Sequence, residues 1–482
     1  MGAHFVRFFN DEGASAPHFL IVTTDPQELE AEPNDFYTKP QVVPRMPVSI
    51  NGRLEKSGDV DCYAVSLAAG QTFGASLQAH TLMSPVDAAV RLVNQQGVTV
   101  ASNHDDGMTM DPRLIWTATA AGTYVLQVFG FDYPAGSDVR FAGNAKCVYR
   151  LHLDVGPQLQ HTWPLGVQCG TNTVLACQAW GADTTHRPEH RYDGTQLGPT
   201  TTEVVFRAPG FVNELRLPVG EGPEQVEIEP NHDAHTAQWV TLPGSVSGVI
   251  DPPGDVDRYQ FRAVAGETWV IGVAAAALGF PLDAWLRIED AAGKELVKVD
   301  DTESADPHLD WTVPTGTNFV AVVGGLGHQG GRDSRYRLSF SRPVSRIKAT
   351  VAEDAFVVEA GRTNEIKVAV TRRFSGTNLV TLRAVDLPPG VQAEPVTVGE
   401  KGGDVVIKLV ATTEAAPSSQ GFQLQVSATP DGPVVPVVHE LISAGENNGV
   451  PQGFRHLVKE SVDRLWLTVR PAPAPAPADG KK

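Results

Sequence analysis

The sequence predicts an all-β protein, a multidomain chain of β-sandwiches, and three observations carry that reading. Punctuation is dense: the 482 residues include 46 Gly and 36 Pro, and the apolar segments between them are short. Those segments alternate with the period of half-buried strands, as in Tyr63-Ala64-Val65-Ser66-Leu67 and Tyr124-Val125-Leu126-Gln127-Val128. Finally, one set of motifs occurs twice in the same order. Glu32-Pro33-Asn34, Gly58-Asp59-Val60-Asp61, Pro85-Val86-Asp87-Ala88, Asp111-Pro112 and Trp116 form the first set. Glu229-Pro230-Asn231, Gly254-Asp255-Val256-Asp257, Pro281-Leu282-Asp283-Ala284, Asp306-Pro307 and Trp311 form the second. A period of roughly two hundred residues is too long for a solenoid, so whole domains are repeated.

The elements follow in order. Residues 29–155 and 226–342 hold the two copies. Each reads as about eight short strands, punctuated by turns at Ala69-Gly70 and Ala121-Gly122 and, in the second copy, at Ala265-Gly266. Residues 156–225, with Val167-Gln168-Cys169-Gly170, Thr173-Val174-Leu175-Ala176 and Val204-Val205-Phe206, suit a small immunoglobulin-like module. Its end matches residues 1–28: Val205-Phe206 and Leu217-Pro218-Val219 correspond to Val6-Arg7-Phe8 and Leu20-Ile21-Val22. The first 28 residues therefore read as the C-terminal remnant of such a module, and the chain is expected to be truncated upstream. Residues 343–470 alternate as strands in Ile366-Lys367-Val368-Ala369-Val370 and Val405-Val406-Ile407-Lys408-Leu409, as an immunoglobulin-like sandwich does. Residues 471–482 are a Pro/Ala-rich tail with little to bury.

Composition excludes some function classes. Hydrophobic residues at 41% are enough for ordinary cores and too many for a disordered chain. The net charge of -18 argues against nucleic acid, which needs a basic footprint, and suits divalent cations; an acidic solvated surface accounts for it equally. The sequence has no apolar run of about eighteen residues, so no membrane span is indicated. The segment Met1 to Phe9 lacks the regions of a signal peptide, and Val6 stands where myristoylation wants Ser or Thr. Given the expected truncation, that says little about location. Four cysteines make no disulfide framework at this length. Cys62 and Cys147 lie near strands that could be neighbours, but free buried thiols are the expectation.

The main chemical signal is acidic. In Glu30-Ala31-Glu32-Pro33-Asn34-Asp35, alternate residues of an extended segment put Glu30, Glu32 and Asn34 on one face. If the Asp59-Val60-Asp61 turn lies beside it, up to five carboxylates converge. Two carboxylates about 5 Å apart repel by roughly 3 kcal/mol at an effective dielectric of about 20. Such a group needs a cation, a proton or separation into solvent, and Ca²⁺ takes about six to eight hard oxygen ligands. The second copy offers Glu227, Glu229, Asn231, Asp255 and Asp257. The same residues are also what a solvated lead-in turn would carry.

These residues resemble a known family. The Glu-Pro-Asn segment, the Gly-Asp-Val-Asp-x-Tyr strand, Ala69-Gly70-Gln71-Thr72 and the Asp-Asp…Asp-Pro…Gly-Thr-Tyr ending are similar to the bacterial pre-peptidase C-terminal domain. That family is related to the collagen-binding domains of clostridial collagenases. The resemblance covers both copies, about half the chain, and implies two jelly-roll-like sandwiches carried by exported proteins. It implies a non-catalytic module, often beside peptidase domains, and calcium ligands at Glu30, Glu32, Asn34, Asp35, Asp59 and Asp61. In the second copy His232 stands where Asp35 does, which weakens that site. The small module at 156–225 looks like those that accompany this family, and the last block is similar to immunoglobulin-like domains of bacterial surface proteins.

Other signals fail on context. Gly325-Leu326-Gly327-His328-Gln329-Gly330 matches a dinucleotide fingerprint, but a strand rather than a helix is expected after it. His186 and His190 have metal-like spacing in a polar loop with Asp183, where surface histidines are expected. His439-Glu440 lacks the second histidine of a zincin, and the sequence has no Gly-x-Ser-x-Gly elbow. Asn103, Asp105, Asp106 and Asp111, mirrored by Asp300, Asp301 and Asp306, are expected to cap their own turn. Asp87 and Asp283 are expected to hold turns likewise. The function expected is that of a non-catalytic secreted or cell-envelope protein whose modules bind or scaffold, with structural Ca²⁺. The partner would be an extracellular or cell-surface protein or polysaccharide, and oligomeric state is open. The alternative is an accessory or targeting region of a secreted peptidase or other hydrolase.

Overall fold

A computed structural model describes residues 2–106, 109–132, 140–181, 187–302, 305–374, 379–428, 433–443 and 457–472. Asp183, His186 and the tail from residue 473 onward lie outside the described residues. The chain is all-β, a series of β-sandwiches, with single 3-10 turns as the only helical elements among the described residues. None of these is long and apolar enough to cross a membrane. The chain divides into two compact units.

One unit joins Met1–Thr24 to Val344–Ala444 and His456–Lys482. At its start, β1 (Gly2–Val6) pairs antiparallel with β4 (His18–Val22), and β2 (Phe9–Asn10) pairs with β3 (Gly13–Ala14). These hairpins pack on the C-terminal block: Arg7 forms an ion pair with Asp354, and the Phe9 and Trp466 rings stand 4.9 Å apart. The C-terminal block runs from the strand Arg346–Val351 to Leu465–Arg470. Along its strand Thr363–Arg373, Ile366, Val368 and Val370 point inward while Glu365 and Lys367 face solvent.

The other unit centres on Asp25–Pro343. Its first part has β5 (Gln27–Leu29), β6 (Gln41–Val42), β7 (Val48–Arg53), β8 (Asp61–Leu67) and β9 (Thr72–Gln78). There follow β10 (Val86–Val93), β11 (Thr99–Asn103), β12 (Arg113–Thr117), β13 (Gly122–Asp132) and β14 (Val148–Val155). They form two five-stranded sheets, β11-β10-β13-β8-β6 and β12-β9-β14-β7-β5. Facing side chains such as Val48, Ile50, Val65, Phe73, Leu77, Leu92, Leu126 and Leu151 fill the space between them. Each such burial stabilises by about 1.5–3 kcal/mol.

The small module has β15 (Gln158–Trp163), β16 (Val167–Gln168), β17 (Asn172–Trp180), β18 (Glu189–Asp193), β19 (Glu203–Phe206) and β20 (Leu215–Gly220). Two three-stranded sheets, β15-β17-β18 and β16-β20-β19, enclose Leu159, Val167, Leu175, Cys177, Phe206 and Leu217. The next ten strands are β21 (Glu224–Val226), β22 (Gln238–Trp239), β23 (Gly244–Val249), β24 (Val256–Arg262) and β25 (Thr268–Ala274). They continue with β26 (Ala284–Asp290), β27 (Glu295–Val299), β28 (His308–Thr312), β29 (Asn318–Gly325) and β30 (Arg335–Ser341). Their sheets, β27-β26-β29-β24-β22 and β28-β25-β30-β23-β21, have the strand order of the earlier pair. The small module is tied to this sandwich by the Leu165 N–H, which donates to Ser247 Oγ at 2.9 Å, and within the sandwich Arg337 makes a buried fork on Glu224 of β21.

Each sandwich thus has ten strands where the pattern of alternation predicts about eight. The additional ones are the lead-in strands, only three and two residues long, too short to show alternation. They attach in parallel at the sheet edges, β5 to β7 and β6 to β8. All four thiols are free. Cys147 lies inside the first core, whereas Cys62 packs with Val93 and Val125 in a separate cluster, so the two strands offer no bridge.

Candidate functional site

The lead-in segment is pinned before any acid is considered. The Gln41 side chain accepts from the Ala31 N–H at 2.8 Å and donates to the Leu29 carbonyl at 3.0 Å. Gln238 does the same for Ile228 and Val226 in the second sandwich, at 2.8 and 3.0 Å. A backbone bond from Cys62 to the Asn34 carbonyl, 3.1 Å, then lays the segment across β8; Arg258 to Asn231, 3.0 Å, is its counterpart. The side chains of Glu30, Glu32 and Asn34 are thereby aimed at the start of the Asp61 strand.

In the first sandwich the expected residues come together. Oxygens of Glu30, Glu32 and Asp61 lie within 4.8 Å of one another, and so do those of Glu32, Asp35 and Asp59. Glu32 belongs to both groups, so the five carboxylates form one continuous cluster. Asn34, Asp59 and Asp61 are buried, at 0%, 1% and 0% exposure. Some oxygens are already held: the Arg53 N–H donates to Glu30 at 2.8 Å and the Asn34 N–H to Glu32 at 2.8 Å. Four are not. One side-chain oxygen each of Asn34, Asp35, Asp59 and Asp61 is buried without a hydrogen-bond partner. Buried acceptors normally have donors, so this concentration calls for a ligand or a proton.

The electrostatics agree. Burial, and then the neighbouring Glu30, push the Asp61 carboxyl up to about 10. Burial also raises Glu32 and Asp59, with the surrounding carboxylates adding to it. Among the described residues Lys56 is the cation in contact, its Nζ 2.9 Å from Asp35 and 3.9 Å from Asp59.

The second site is smaller. Glu227, Glu229 and Asp257 gather within 4.8 Å, and Asn231 and Asp257 are both 0% exposed. Asn231 has neither its oxygen nor its nitrogen paired, and one Asp257 oxygen is also unpartnered. Burial raises Asp257 to about 9 and Glu227 to about 7. Asp255 stays outside the group; its carboxylate accepts from the Val256 N–H at 2.8 Å. His232 is exposed and contributes its carbonyl, which accepts from Arg258.

Residue types alone did not disclose the tyrosines. Tyr149 donates to Asp61 at 2.6 Å and reaches Glu30 at 3.2 Å, with the Tyr63 hydroxyl 2.5 Å away. Tyr336 donates to Asp257 at 2.5 Å, with Tyr259 at 2.6 Å. These hydroxyls are buried and burial raises all four, so they keep their protons: Tyr63, Tyr149 and Tyr336 donate to acids and Tyr259 pairs with Tyr336. Gly52 and Gly248 make room for them: a Cβ there would stand 2.5 Å from Tyr149 or Tyr336. The recurrence of tyrosine at Asp61+2 and Asp257+2, in strands otherwise apolar on that face, was the available signal.

Several expectations change. Asp111 does not cap its own turn. It accepts from the N–H groups of Ala79, His80 and Thr81, at 2.9, 2.7 and 2.9 Å, and so caps the distant 3-10 turn His80–Leu82. Asp306 does the same for Ala275, Ala276 and Ala277. The Asp87 carboxylate faces His104 instead of holding a turn, and around Asp283 it is the backbone that bonds, to Gln329 and Leu326. His190 is half-buried between Phe206 and Phe211 and is no surface histidine. After Gly325 the chain makes one 3-10 turn, Leu326–His328, and then β30, with no helix to hold a dinucleotide.

No family model matches the chain, and no curated protein matches it. Among solved structures it is similar to the pre-peptidase C-terminal domain of collagenase from Bacillus anthracis. That likeness has 16% identity, a TM-score of 0.18, and covers 27% of this chain and 100% of the other. PliG of Aeromonas hydrophila, a periplasmic inhibitor of g-type lysozyme, matches at 16% identity and TM-score 0.18, over 27% of this chain and 99% of its own. Tripeptidyl peptidase 2 matches at 9% identity and TM-score 0.17, over 92% of this chain and 31% of its own.

Proposed function

We propose that this is a non-catalytic, exported or cell-envelope protein whose sandwiches serve as binding or scaffold modules, each clamped at its lead-in segment by Ca²⁺. The partner class proposed is an extracellular or cell-surface protein or polysaccharide. The observation that carries the metal reading is the set of buried oxygens without donors on Asn34, Asp35, Asp59 and Asp61. All are hard ligands, and with Glu30 and Glu32 they reach the coordination number calcium takes. The ion would neutralise the crowded carboxylates and bind the lead-in segment to the start of β8, so its role would be structural. In the second sandwich Glu227, Glu229, Asn231 and Asp257 would hold it with fewer ligands. The first site should therefore bind more tightly.

A ligand held only by the folded state raises stability by mass action, by about 2.7 kcal/mol at a hundredfold excess over its dissociation constant. Melting of the full chain in chelator and in millimolar calcium tests this. Calcium should raise the transition, and a Glu30→Gln, Glu32→Gln variant should lose most of the gain. Coincident curves for the unmodified chain would sink the metal reading.

A further inference from the structure

A second cluster of metal-binding groups lies in the first sandwich, made by residues other than the lead-in acids. Asp87 is the second residue of β10, and His104 and Asp105 follow β11 directly. One ligand atom from each of the three lies within 4.8 Å of the others. The His104 ring is set edge-on to Phe131, whose strand β13 pairs with β10 at Asp87. Two neighbouring strands therefore fix the distance between imidazole and carboxylate.

The contact between them has an informative shape. His104 Nε2 stands 3.0 Å from Asp87 Oδ1, yet that buried oxygen receives no properly directed hydrogen bond. A ring nitrogen and a carboxylate oxygen this close, but not aimed at each other, can share a third atom. Two ligands each about 2.0–2.1 Å from one ion stand about 2.8–3.4 Å apart at octahedral or tetrahedral angles. Asp105 lies 3.7 Å from the other ring nitrogen, and its side chain is 44% exposed, free to swing in as third ligand.

We propose that Asp87, His104 and Asp105 form a site for a borderline divalent transition metal, of which Zn²⁺ is the type. Imidazole nitrogen selects Zn²⁺, Co²⁺, Ni²⁺ and Cu²⁺ over calcium, which prefers oxygen alone. Three protein ligands leave the remaining positions to water or to a ligand from a partner. The site belongs to the first sandwich only. Counting back from Asp300-Asp301, the residue matching His104 is Val299, so Asp283 has acids near it but no imidazole. This inference does not depend on calcium at the lead-in acids.

The test is Zn²⁺ titration by calorimetry of the full chain, stripped with chelator and then held in millimolar calcium. His104→Asn and Asp87→Asn are compared with the unmodified protein, because 14 histidines give a background. Unmodified protein should bind one more equivalent than His104→Asn, or bind it at least about tenfold more tightly. Co²⁺ should give a d–d absorption band that both variants lose, while Glu30→Gln, Glu32→Gln keeps it. His104 is exposed, and unchanged melting of His104→Asn in chelator separates lost binding from lost folding. Equal stoichiometry, affinity and Co²⁺ spectra in His104→Asn and the unmodified chain overturn the proposal. Calcium-dependent melting that vanishes with this zinc binding intact would instead refute only the calcium reading.

Discussion

Without divalent cations, this protein should become less stable as pH rises through neutrality, the reverse of ordinary acid denaturation. Asp61 and Asp257 are raised to about 10 and about 9 by burial and carboxylate neighbours. In the unfolded chain both lose their protons near the usual carboxylate value of about 4. Between there and the raised values the folded state holds protons that the unfolded chain has released. Stability therefore falls with pH across that window and levels off only above about 10. The ceiling is about 1.4 kcal/mol per pH unit for each group, or about 2.7 for the pair. Water penetration lowers it, and a slope of about 1 kcal/mol per pH unit is the expected result. For domains of this size that moves a transition by roughly 3–6 °C per unit. Scanning calorimetry in chelator between about pH 6 and about pH 8 reads the slope directly. Asp61→Asn and Asp257→Asn, which mimic the protonated acids, should each remove part of it. Saturating calcium should flatten it, since bound carboxylates are already deprotonated. A flat profile in chelator, or an undiminished slope in the double variant, would refute the electrostatic account of the site.

Three further outcomes follow from named contacts. Lys56→Ala should raise calcium affinity by about threefold to fivefold in calorimetric titration, with Lys56→Arg unchanged, because the ammonium group competes for Asp35 and Asp59. Gly52→Ala and Gly248→Ala should each cost about 1–3 kcal/mol in urea unfolding, since the new methyl would collide with Tyr149 or Tyr336. Asp111→Ala should cost about 2–3 kcal/mol by the same assay, with Asp111→Asn recovering part, because the carboxylate accepts three backbone N–H groups.

What the sequence disclosed and what it hid divide along physical lines. Alternation exposed the long strands, because one-faced burial leaves a period of two, as along Thr363–Arg373. It could not expose β5 and β6, where pairing is set by a glutamine side chain reaching back to the lead-in backbone. The acids at Glu30, Glu32, Asp59 and Asp61 were legible because crowded carboxylates must be paired, protonated, held by a cation or parted into solvent. The tyrosines were not, since a buried tyrosine in a strand reads first as core. The role of Asp111 was hidden for another reason: its partners, Ala79 to Thr81, lie thirty or more positions away. Local turn chemistry offered a nearer partner that the fold does not use.

For the calcium proposed at the two acidic sites, ligand count alone would be a poor guide to relative strength. Moving from the first to the second, Asp35 becomes His232 and Lys56 becomes Pro252, so a salt bridge is lost as a pair. The metal-free sites then differ little in net charge, although one has two overlapping groups of carboxylates and the other has one. The difference emerges only when a cation enters. In the first site the proposed ion would gain Asp35 and Asp59 but would displace Lys56, whose exposed side chain can swing into solvent at little cost. In the second no lysine stands at the matching position, and Asp255, which accepts from the Val256 N–H, lies outside the gathered carboxylates. Backbone N–H groups already bond carboxylates in both sites, so the lysine is the competitor that sets them apart. Competition from that lysine would narrow the gap that the extra ligands alone would create, and because its side chain is exposed and yields readily, the first site would remain the tighter of the two.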